Sequence, residues 1–186
     1  MTFGDKADPQ LDDMDLRILA HLQADSRTSL VRLGEQVGLS APAVLERIKK
    51  LEAAQVITGY PALLDARRLG LDITAFIGVI VSHPSMIAEF ERKVRAVDDV
   101  LECHHVTGAF TFLLKVKTAT TSTLERLITQ IRSIEGVART ETTVVLSTHI
   151  ERVQLGLHPR EPAPTTHPRR GRRNGDGGGG AQLRRA

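Results

Sequence analysis

The most constraining feature of this sequence is a short junction between two stretches of helical hydrophobic spacing. Apolar residues recur on one helical face from Leu30 to Val37, and Gly38 follows, where a left-handed helix end costs least. Ser40 then supplies an N-cap for a further helix. Pro42 lies in that helix's first turn, where a missing backbone N–H does no harm. The sequence therefore predicts two short helices joined by a tight turn that contains glycine.

A further helix precedes this pair. Met14, Ile18 and Leu22 recur every four residues, and Asp12 or Asp13 is the predicted N-cap. The third helix, residues 41–54, carries its own apolar stripe of Val44, Ile48 and Leu51. Three short helices with a tight turn between the last two form the helix-turn-helix pattern.

The second half of the chain alternates strand-like and helical patterns after a segment, Val56–Leu64, that is expected to be extended. The predicted elements are a strand over Thr74–Val81, a helix starting near Ser82 and Pro84, strands over Val100–Thr107 and Phe110–Val116 around a Gly108-Ala109 turn, a helix with a capping box at Ser122–Glu125, and a strand over Val137–Ile150. This order is the ferredoxin-like βαββαβ pattern. Both helices of such a domain cover one face of the sheet, and the open face is commonly covered by another copy.

The predicted fold class is α+β, with a three-helix helix-turn-helix domain followed by a ferredoxin-like domain. The predicted boundaries are a flexible N-terminus over residues 1–10, a DNA-binding domain over 11–60, a linker over 61–73, an effector-binding and oligomerisation domain over 74–152, and a disordered Arg/Gly/Pro-rich tail over 158–186.

Composition and charge argue against several classes of protein. The net charge is +3, but the seven arginines of residues 160–186 outnumber two acids, so the tail carries +5 and the remainder −2. An aromatic content of 3% argues against single-strand binders that stack bases. The single cysteine fits a reducing compartment, no apolar run is long enough for a membrane span, and the polar N-terminus lacks a signal-peptide core. The sequence therefore predicts a cytoplasmic protein without a membrane partner, associated with the nucleoid if the source is a prokaryote.

Residues 30–60 read LVRLGEQVGLSAPAVLERIKKLEAAQVITGY and closely resemble the Lrp/AsnC (leucine-responsive, or feast/famine) transcriptional regulators. The resemblance extends upstream through LDDMDLRILAHLQADSR and downstream through LECHHVTGAFTFLLKV and IEGVARTETTVVLST, so that it covers residues 11–150. It implies a winged helix-turn-helix domain and a RAM- or ACT-like domain that senses a ligand, dimerises and often assembles further. Family members regulate amino-acid metabolism and transport, and many bind an amino acid.

The resemblance predicts a sequence-specific DNA-binding regulator, not an enzyme, that responds to a small-molecule effector such as an amino acid or another metabolite. A single recognition helix reads few base pairs, so a homodimer or higher homo-oligomer on a pseudo-palindromic duplex is expected. No cofactor or metal is predicted. The alternative is an enzyme resembling the sirohaem decarboxylases, which share this two-domain architecture and use His and Arg around a tetrapyrrole; His104 and His105 keep that alternative open.

The third helix carries the predicted DNA contacts. Ala43, Arg47 and Lys50 recur at helical spacing and are expected opposite the buried stripe, with Arg47 reading a guanine and Arg32, Lys49 and Lys50 contacting phosphates. The helix N-terminus is expected nearest the bases. The alternative is a solvated helix face, with Glu46 and Glu52 as neighbours. The predicted DNA-binding residues are Arg32, Ser40, Ala41, Pro42, Ala43, Arg47, Lys49 and Lys50.

The turn between the second and third strands is the candidate effector site. Relatives typically have Gly-Asp-Tyr/Phe-Asp there, whereas this chain has Gly108, Ala109, Phe110 and Thr111, without a carboxylate for an α-ammonium group. Free amino acids are therefore not expected to be sensed there in the usual way, and the alternative is a hairpin packed at a subunit interface. The candidate effector-binding residues are Thr107, Gly108, Ala109, Phe110 and Thr111.

Two further features leave alternatives open. Cys103 and His105 share one strand face and His104 the other, and two ligands are too few for a closed zinc site, so packing is favoured over metal binding. The Arg-rich tail either adds non-specific attraction to DNA phosphates or is an inert extension.

Overall fold

The structure, a computed structural model, describes residues 9–157. The predicted tail over residues 158–186 and most of the predicted N-terminal segment lie outside the described residues. The described chain divides into two compact units, one of residues 9–58 with residues 156 and 157, and the other of residues 59–155. Within residues 9–157, no helix has the length and apolar character needed to cross a membrane.

The first unit contains three helices, α1 (Asp13–Ala24), α2 (Leu30–Val37) and α3 (Ala41–Ala53). Each begins at a side-chain cap, Asp12, Ser29 or Ser40, that accepts a hydrogen bond from a backbone N–H of its first turn. The tight turn between α2 and α3 depends on two glycines, Gly34 within α2 and Gly38 directly after it. Gly38 has a φ of 79°, and a Cβ on Gly34 would collide with the carbonyl oxygen of Leu39. The buried core of this unit consists of Ile18, Leu19, Leu33, Val37, Val44, Ile48 and Leu51.

The segment expected to be extended, Val56–Leu64, contains no strand, and its first two residues continue the end of α3. Gln55 adopts a φ of 56°, and the N–H groups of Val56 and Ile57 both bond to the Leu51 carbonyl, at 2.9 and 3.2 Å. This is a left-handed helix termination with a hydrophobic residue just beyond it. Val56 and Ile57 therefore close the helical core instead of entering a sheet.

The second unit is a four-stranded antiparallel sheet with two helices. Its elements are β1 (Ile73–Val81), α4 (Ile87–Val94), β2 (Val100–His105), β3 (Phe112–Thr118), α5 (Thr121–Arg132) and β4 (Val137–Val144), and short 3₁₀ turns precede β1 (Arg67–Leu69) and α4 (Pro84–Met86). The strand order β2-β3-β1-β4 confirms the predicted ferredoxin-like arrangement.

The helix-facing side of this sheet is an aliphatic core with two phenylalanines. Phe90 from α4 packs against Phe112 from β3, with ring centroids 4.8 Å apart. The core residues are Ala75, Ile77, Val79, Phe90, Val94, Val97, Phe112, Leu114, Val116, Leu124, Leu127, Ile131 and Ile134. The opposite side of the sheet carries no helix and is called the open face below.

Two element boundaries differ from the sequence-based expectation. The capping box of α5 is formed by Thr120 and Thr123, not by Ser122 and Glu125, because Thr120 is the last residue with extended dihedral angles and Ser122 is already helical. β4 ends at Val144 and does not continue to Ile150. The residues beyond it fold back, and Glu151 bonds to Lys115, 2.6 Å away.

Candidate nucleic-acid interface and effector-binding unit

The exposed side of α3 is set by its buried stripe. Val44, Ile48 and Leu51 are nearly inaccessible to solvent and fix the inner side of the helix. At about 100° per residue, Pro42, Glu46 and Lys49 lie on the opposite side, and all three are exposed. This surface, with its neighbours Leu45 and Lys50, is called the outer face of α3 below.

Arg47 lies on the flank of α3, not on its outer face. It follows Val44 by three residues and precedes Leu51 by four, so it is a neighbour of the buried stripe. Its guanidinium donates to Asp12, at 2.8 Å, and to Asp15, at 2.7 Å. The prediction that Arg47 lies opposite the buried stripe is therefore wrong for this structure, in which two carboxylates at the start of α1 hold its guanidinium.

The electrostatics of this cluster are consistent with a stable ion pair. The pKa of Asp12 is lowered, first by the hydrogen bond from the Asp15 backbone N–H and then by Arg47. The pKa of Arg47 is raised by its hydrogen bonds to the same two carboxylates. Only 15% of the Asp15 side chain is exposed, against 33% of Arg47 and 54% of Asp12. The cluster thus joins the N-terminus of α1 to the middle of α3.

The other predicted DNA-binding residues are placed as follows. Ser40 caps α3, Ala41 and Ala43 are half-buried, and Arg32, Pro42, Lys49 and Lys50 are exposed. Sequence reasoning missed two outer-face residues. Leu45 is 37% exposed, and Glu46 bonds to Lys50 at 2.9 Å. A helical wheel centred on the buried stripe would have found both.

The turn between β2 and β3 is bonded to β1. The Thr111 N–H donates to the Val79 carbonyl at 2.8 Å, and its hydroxyl accepts from the Val81 N–H at 3.1 Å. The ring of Phe110 lies over Gly78 on the open face, where a Cβ on Gly78 would approach it to 2.7 Å. Gly78 is therefore a partner of the turn that the sequence did not reveal, and the turn presents no charged side chain to a ligand.

The Cys-His-His segment of β2 lies on two faces, as its alternation predicts. Cys103 and His105 pair with Leu114 and Phe112 on the helix side, and His105 stacks on Phe112 at 4.9 Å. His104 is on the open face and contacts Glu102, 3.1 Å away. Burial raises the pKa of the Cys103 thiol, which disfavours the thiolate. Within the part of the chain that the structure describes, no three His, Cys, Asp or Glu side chains are grouped as a metal site.

An ion-pair cluster lies on the open face beside exposed apolar side chains. Lys115 bonds to Glu102 at 3.3 Å and to Glu151 at 2.6 Å, and Lys117 bonds to Glu151 at 3.3 Å. These contacts raise the pKa of Lys115, with Glu151 contributing most. Phe76, on the neighbouring strand, is 36% exposed.

Comparisons with known proteins match both units. Residues 11–52 match the model of the AsnC-type helix-turn-helix domain, and residues 74–155 match that of the Lrp/AsnC ligand binding domain.

Curated relatives include an uncharacterized HTH-type transcriptional regulator, YezC, from Bacillus subtilis, 41% identical over 63% of this chain and 83% of the relative. A proline dehydrogenase transcriptional activator from Rhizobium radiobacter is 38% identical over 73% of this chain and 89% of the relative. Among solved structures, a feast or famine regulatory protein from M. tuberculosis complexed with L-methionine has a TM-score of 0.73 and 32% identity, and the match covers 78% of this chain and 98% of that one.

Proposed function

The chain belongs to the Lrp/AsnC family of DNA-binding transcriptional regulators, and on that premise we propose that the outer face of α3 reads its operator while Arg47 positions that helix. The family consists of regulators with a DNA-binding and an effector-binding domain, and the comparisons give no support to the sirohaem decarboxylase alternative. The observation that carries the proposal is that Pro42, Glu46 and Lys49 are exposed opposite the buried stripe of α3, whereas Arg47 is held by Asp12 and Asp15.

The outer face offers a mixed set of base contacts. Leu45 provides an apolar surface for a thymine methyl group, Glu46 an acceptor for the cytosine amino group, and Lys49 a donor for guanine. Arg32 and Lys50 are assigned to phosphates, which fix the docking register without reading sequence. Ser40, Ala41, Pro42 and Ala43 form the small N-terminal end that allows close approach to the groove.

We further propose that a second copy covers the open face. Phe76 is a large exposed apolar side chain on a central strand, and Ile80 and Leu113 on the same face are half-buried in the single chain. A two-fold pair of helix-turn-helix units would read a pseudo-palindromic operator, and larger homo-oligomers are built from such dimers. We also propose the domain boundaries predicted above, a cytoplasmic location and association with the nucleoid.

The effector is a small metabolite. Two solved neighbours, from M. tuberculosis and Neisseria meningitidis, are complexes with L-methionine. In this chain the turn residues Thr107–Thr111 carry no carboxylate, so we propose that they contribute packing or backbone hydrogen bonds, not the recognition of an α-ammonium group.

Selection of bound duplexes from a random pool tests the proposal. The wild-type chain is expected to enrich a pseudo-palindromic motif, and Lys49→Ala is expected to lose the preference at one base pair of each half-site. Arg126→Ala, an exposed change on α5, serves as the control and should leave the motif unchanged. Failure of the wild type to enrich any motif, with or without amino acids, would overturn the proposal.

Light scattering tests the dimer separately. Phe76→Glu places a charge on the open face and is expected to shift the particle to the monomer mass, whereas Thr129→Glu on the exposed side of α5 should not. A Phe76→Glu protein of wild-type mass would show that the open face is not the interface.

A further inference from the structure

The folded helix-turn-helix unit carries little positive charge for a protein that binds DNA. Residues 9–58 contain six Lys and Arg side chains against seven Asp and Glu side chains, a net charge of −1. Two of these cations, Arg47 and Lys50, are held in ion pairs with acidic side chains, and a third, Arg17, donates to a backbone carbonyl. Within residues 9–157, the cations of this unit without a side-chain hydrogen bond or ion pair are Arg27, Arg32 and Lys49. Cations that bind phosphates supply most of the non-specific affinity of a protein for DNA, so this unit by itself attracts a duplex weakly.

The missing positive charge is concentrated in residues 160–186. Seven arginines and two acids give this stretch a net charge of +5, and four of the arginines fall within residues 169–173. The stretch lies outside the described residues, so its charge is known from the sequence. It contains no Phe, Tyr or Trp on which an unpaired base could stack, and its one large apolar residue, Leu183, gives it little to bury in a membrane. Its composition is therefore that of a segment that binds phosphates.

The chain is attached to the DNA-binding unit just before this stretch begins. Residues 156 and 157 belong to the first unit, although the sheet separates them in sequence from its helices. Leu157, the last described residue, packs against the core formed by α1, α2 and α3. The twelve residues from Leu157 to Arg169 can span at most about 40 Å. Since α3 is about 20 Å long, the arginines of residues 169–173 are within reach of a duplex docked on its outer face.

We propose that residues 160–186 bind the phosphates of the duplex that flanks the operator and supply the non-specific affinity that the folded unit lacks. The planar guanidinium of arginine donates two parallel hydrogen bonds to a phosphate. Phosphates carry no base identity, so this contact strengthens binding without changing the motif that is read. A reach of about 40 Å is little more than one helical turn of duplex, so the contact extends each half-site by about one turn.

The role at an operator rests on the proposed function, but attraction to a duplex of mixed sequence does not, and two full-length variants test that attraction. The first variant neutralises the densest part of the stretch with Arg169→Gln, Arg170→Gln, Arg172→Gln and Arg173→Gln. The matched control makes the same change at four exposed arginines of the second unit, Arg95, Arg126, Arg132 and Arg139. Both variants lose the same amount of positive charge, so a difference between them reports where the charge is located.

Fluorescence anisotropy on a duplex of mixed sequence gives the slope of log affinity against log salt concentration. Each phosphate contact contributes about 0.9 to this slope, so the first variant should have a slope shallower by about 2–4 for each bound chain. The control should keep the wild-type slope. On the selected operator, wild-type affinity should rise when about 12 base pairs of flanking duplex, or about 40 Å, are added at each end, whereas the first variant should gain little. The motif selected from a random pool should be the same for all three proteins.

An unchanged slope in the first variant, or an equal loss of slope in the control, would overturn the assignment of residues 160–186 to DNA phosphates. Vesicles that contain phosphatidylglycerol test the other anionic surface. If they retained the wild type but not the first variant, while both proteins bound the duplex equally, the stretch would be a membrane-binding segment instead. A wild type that selects no motif but keeps the slope difference on the mixed duplex would contradict base reading by α3 and support this phosphate contact, so the two failures are distinguishable.

Discussion

The guanidinium of Arg47 lies 2.7 Å from the Asp15 carboxylate, which joins the middle of α3 to the first turn of α1. Asp15 is also the partner of Asp12 in the α1 capping box, so the residues that start α1 also hold the flank of α3. A single cluster of three charged side chains thereby caps the start of α1 and holds the flank of α3. Loss of Arg47 would leave two neighbouring carboxylates without their shared cation.

Arg47→Ala is expected to weaken operator binding by about 1–3 kcal/mol without changing the selected motif. The reason is that α3 loses its ion pairs to α1, while the outer face keeps its side chains. The thermal midpoint of the helix-turn-helix unit should fall as well. Lys49→Ala is the matched comparison, because Lys49 lacks an ion pair to α1; its thermal midpoint should stay near that of the wild type while its base preference changes. Altered base preference with unchanged stability in Arg47→Ala would instead support a base-reading role for Arg47.

Glu46→Gln is expected to change specificity more than affinity. The carboxylate accepts hydrogen bonds only, whereas the amide of Gln also donates and can bond to the acceptor edge of adenine. One half-site position should therefore shift from cytosine toward adenine, with discrimination changing by about 1–3 kcal/mol. Motif selection measures this directly, with Glu52→Gln near the C-terminal end of α3 as the control. An identical motif from Glu46→Gln would remove Glu46 from the base-reading set.

Asp12 makes the stability of the helix-turn-helix unit depend on pH. Its folded pKa is lowered by the Asp15 N–H and by Arg47, so its contribution is present above the ordinary aspartate pKa and is lost as pH falls through the lowered value. Asp12→Asn keeps an effective N-cap but removes the titrating charge. The difference in thermal midpoint between the wild type and Asp12→Asn should be largest near neutral pH and should shrink as the pH falls below the ordinary aspartate pKa.

The control for this pH series is Asp13→Asn, since Asp13 is an exposed neighbour without a contact to Arg47. It should follow the wild-type curve. A wild-type minus Asp12→Asn difference that stayed constant from neutral pH to well below the ordinary aspartate pKa would show that the Asp12 charge does not stabilise the fold.

The element order of both units could be predicted from the sequence because the patterns that mark helices and strands are local. Caps at Ser40 and Asp12, the glycine end at Gly38 and the strand periodicity each depend on a few neighbouring residues. What it missed depends on contacts distant in sequence. The Arg47–Asp15 ion pair spans 32 residues, and its geometry follows from how α3 packs on α1, which no local pattern encodes.

The same reasoning applies to the outer face of α3 and to the open face of the sheet. The outer face of α3 was predictable in principle, since the positions of Leu45 and Glu46 follow from the buried stripe alone. The contact of Glu151 with Lys115 on the open face was not, because it joins residues 36 apart in the chain and forms only when the segment after β4 folds back.

Gly78→Ala tests the contact between the β2–β3 turn and the sheet. A Cβ on Gly78 would lie 2.7 Å from the ring of Phe110, so the ring must move off the open face. The variant is expected to lose about 1–3 kcal/mol of unfolding free energy, the usual cost of such overpacking. Gly59→Ala is the control, because a Cβ on Gly59 would meet no atom within 4 Å. Combining Gly78→Ala with Phe110→Ala should cost less than the sum of the two single changes, since the clash disappears with the ring. Strictly additive losses in denaturant unfolding would show that Phe110 does not rest on Gly78.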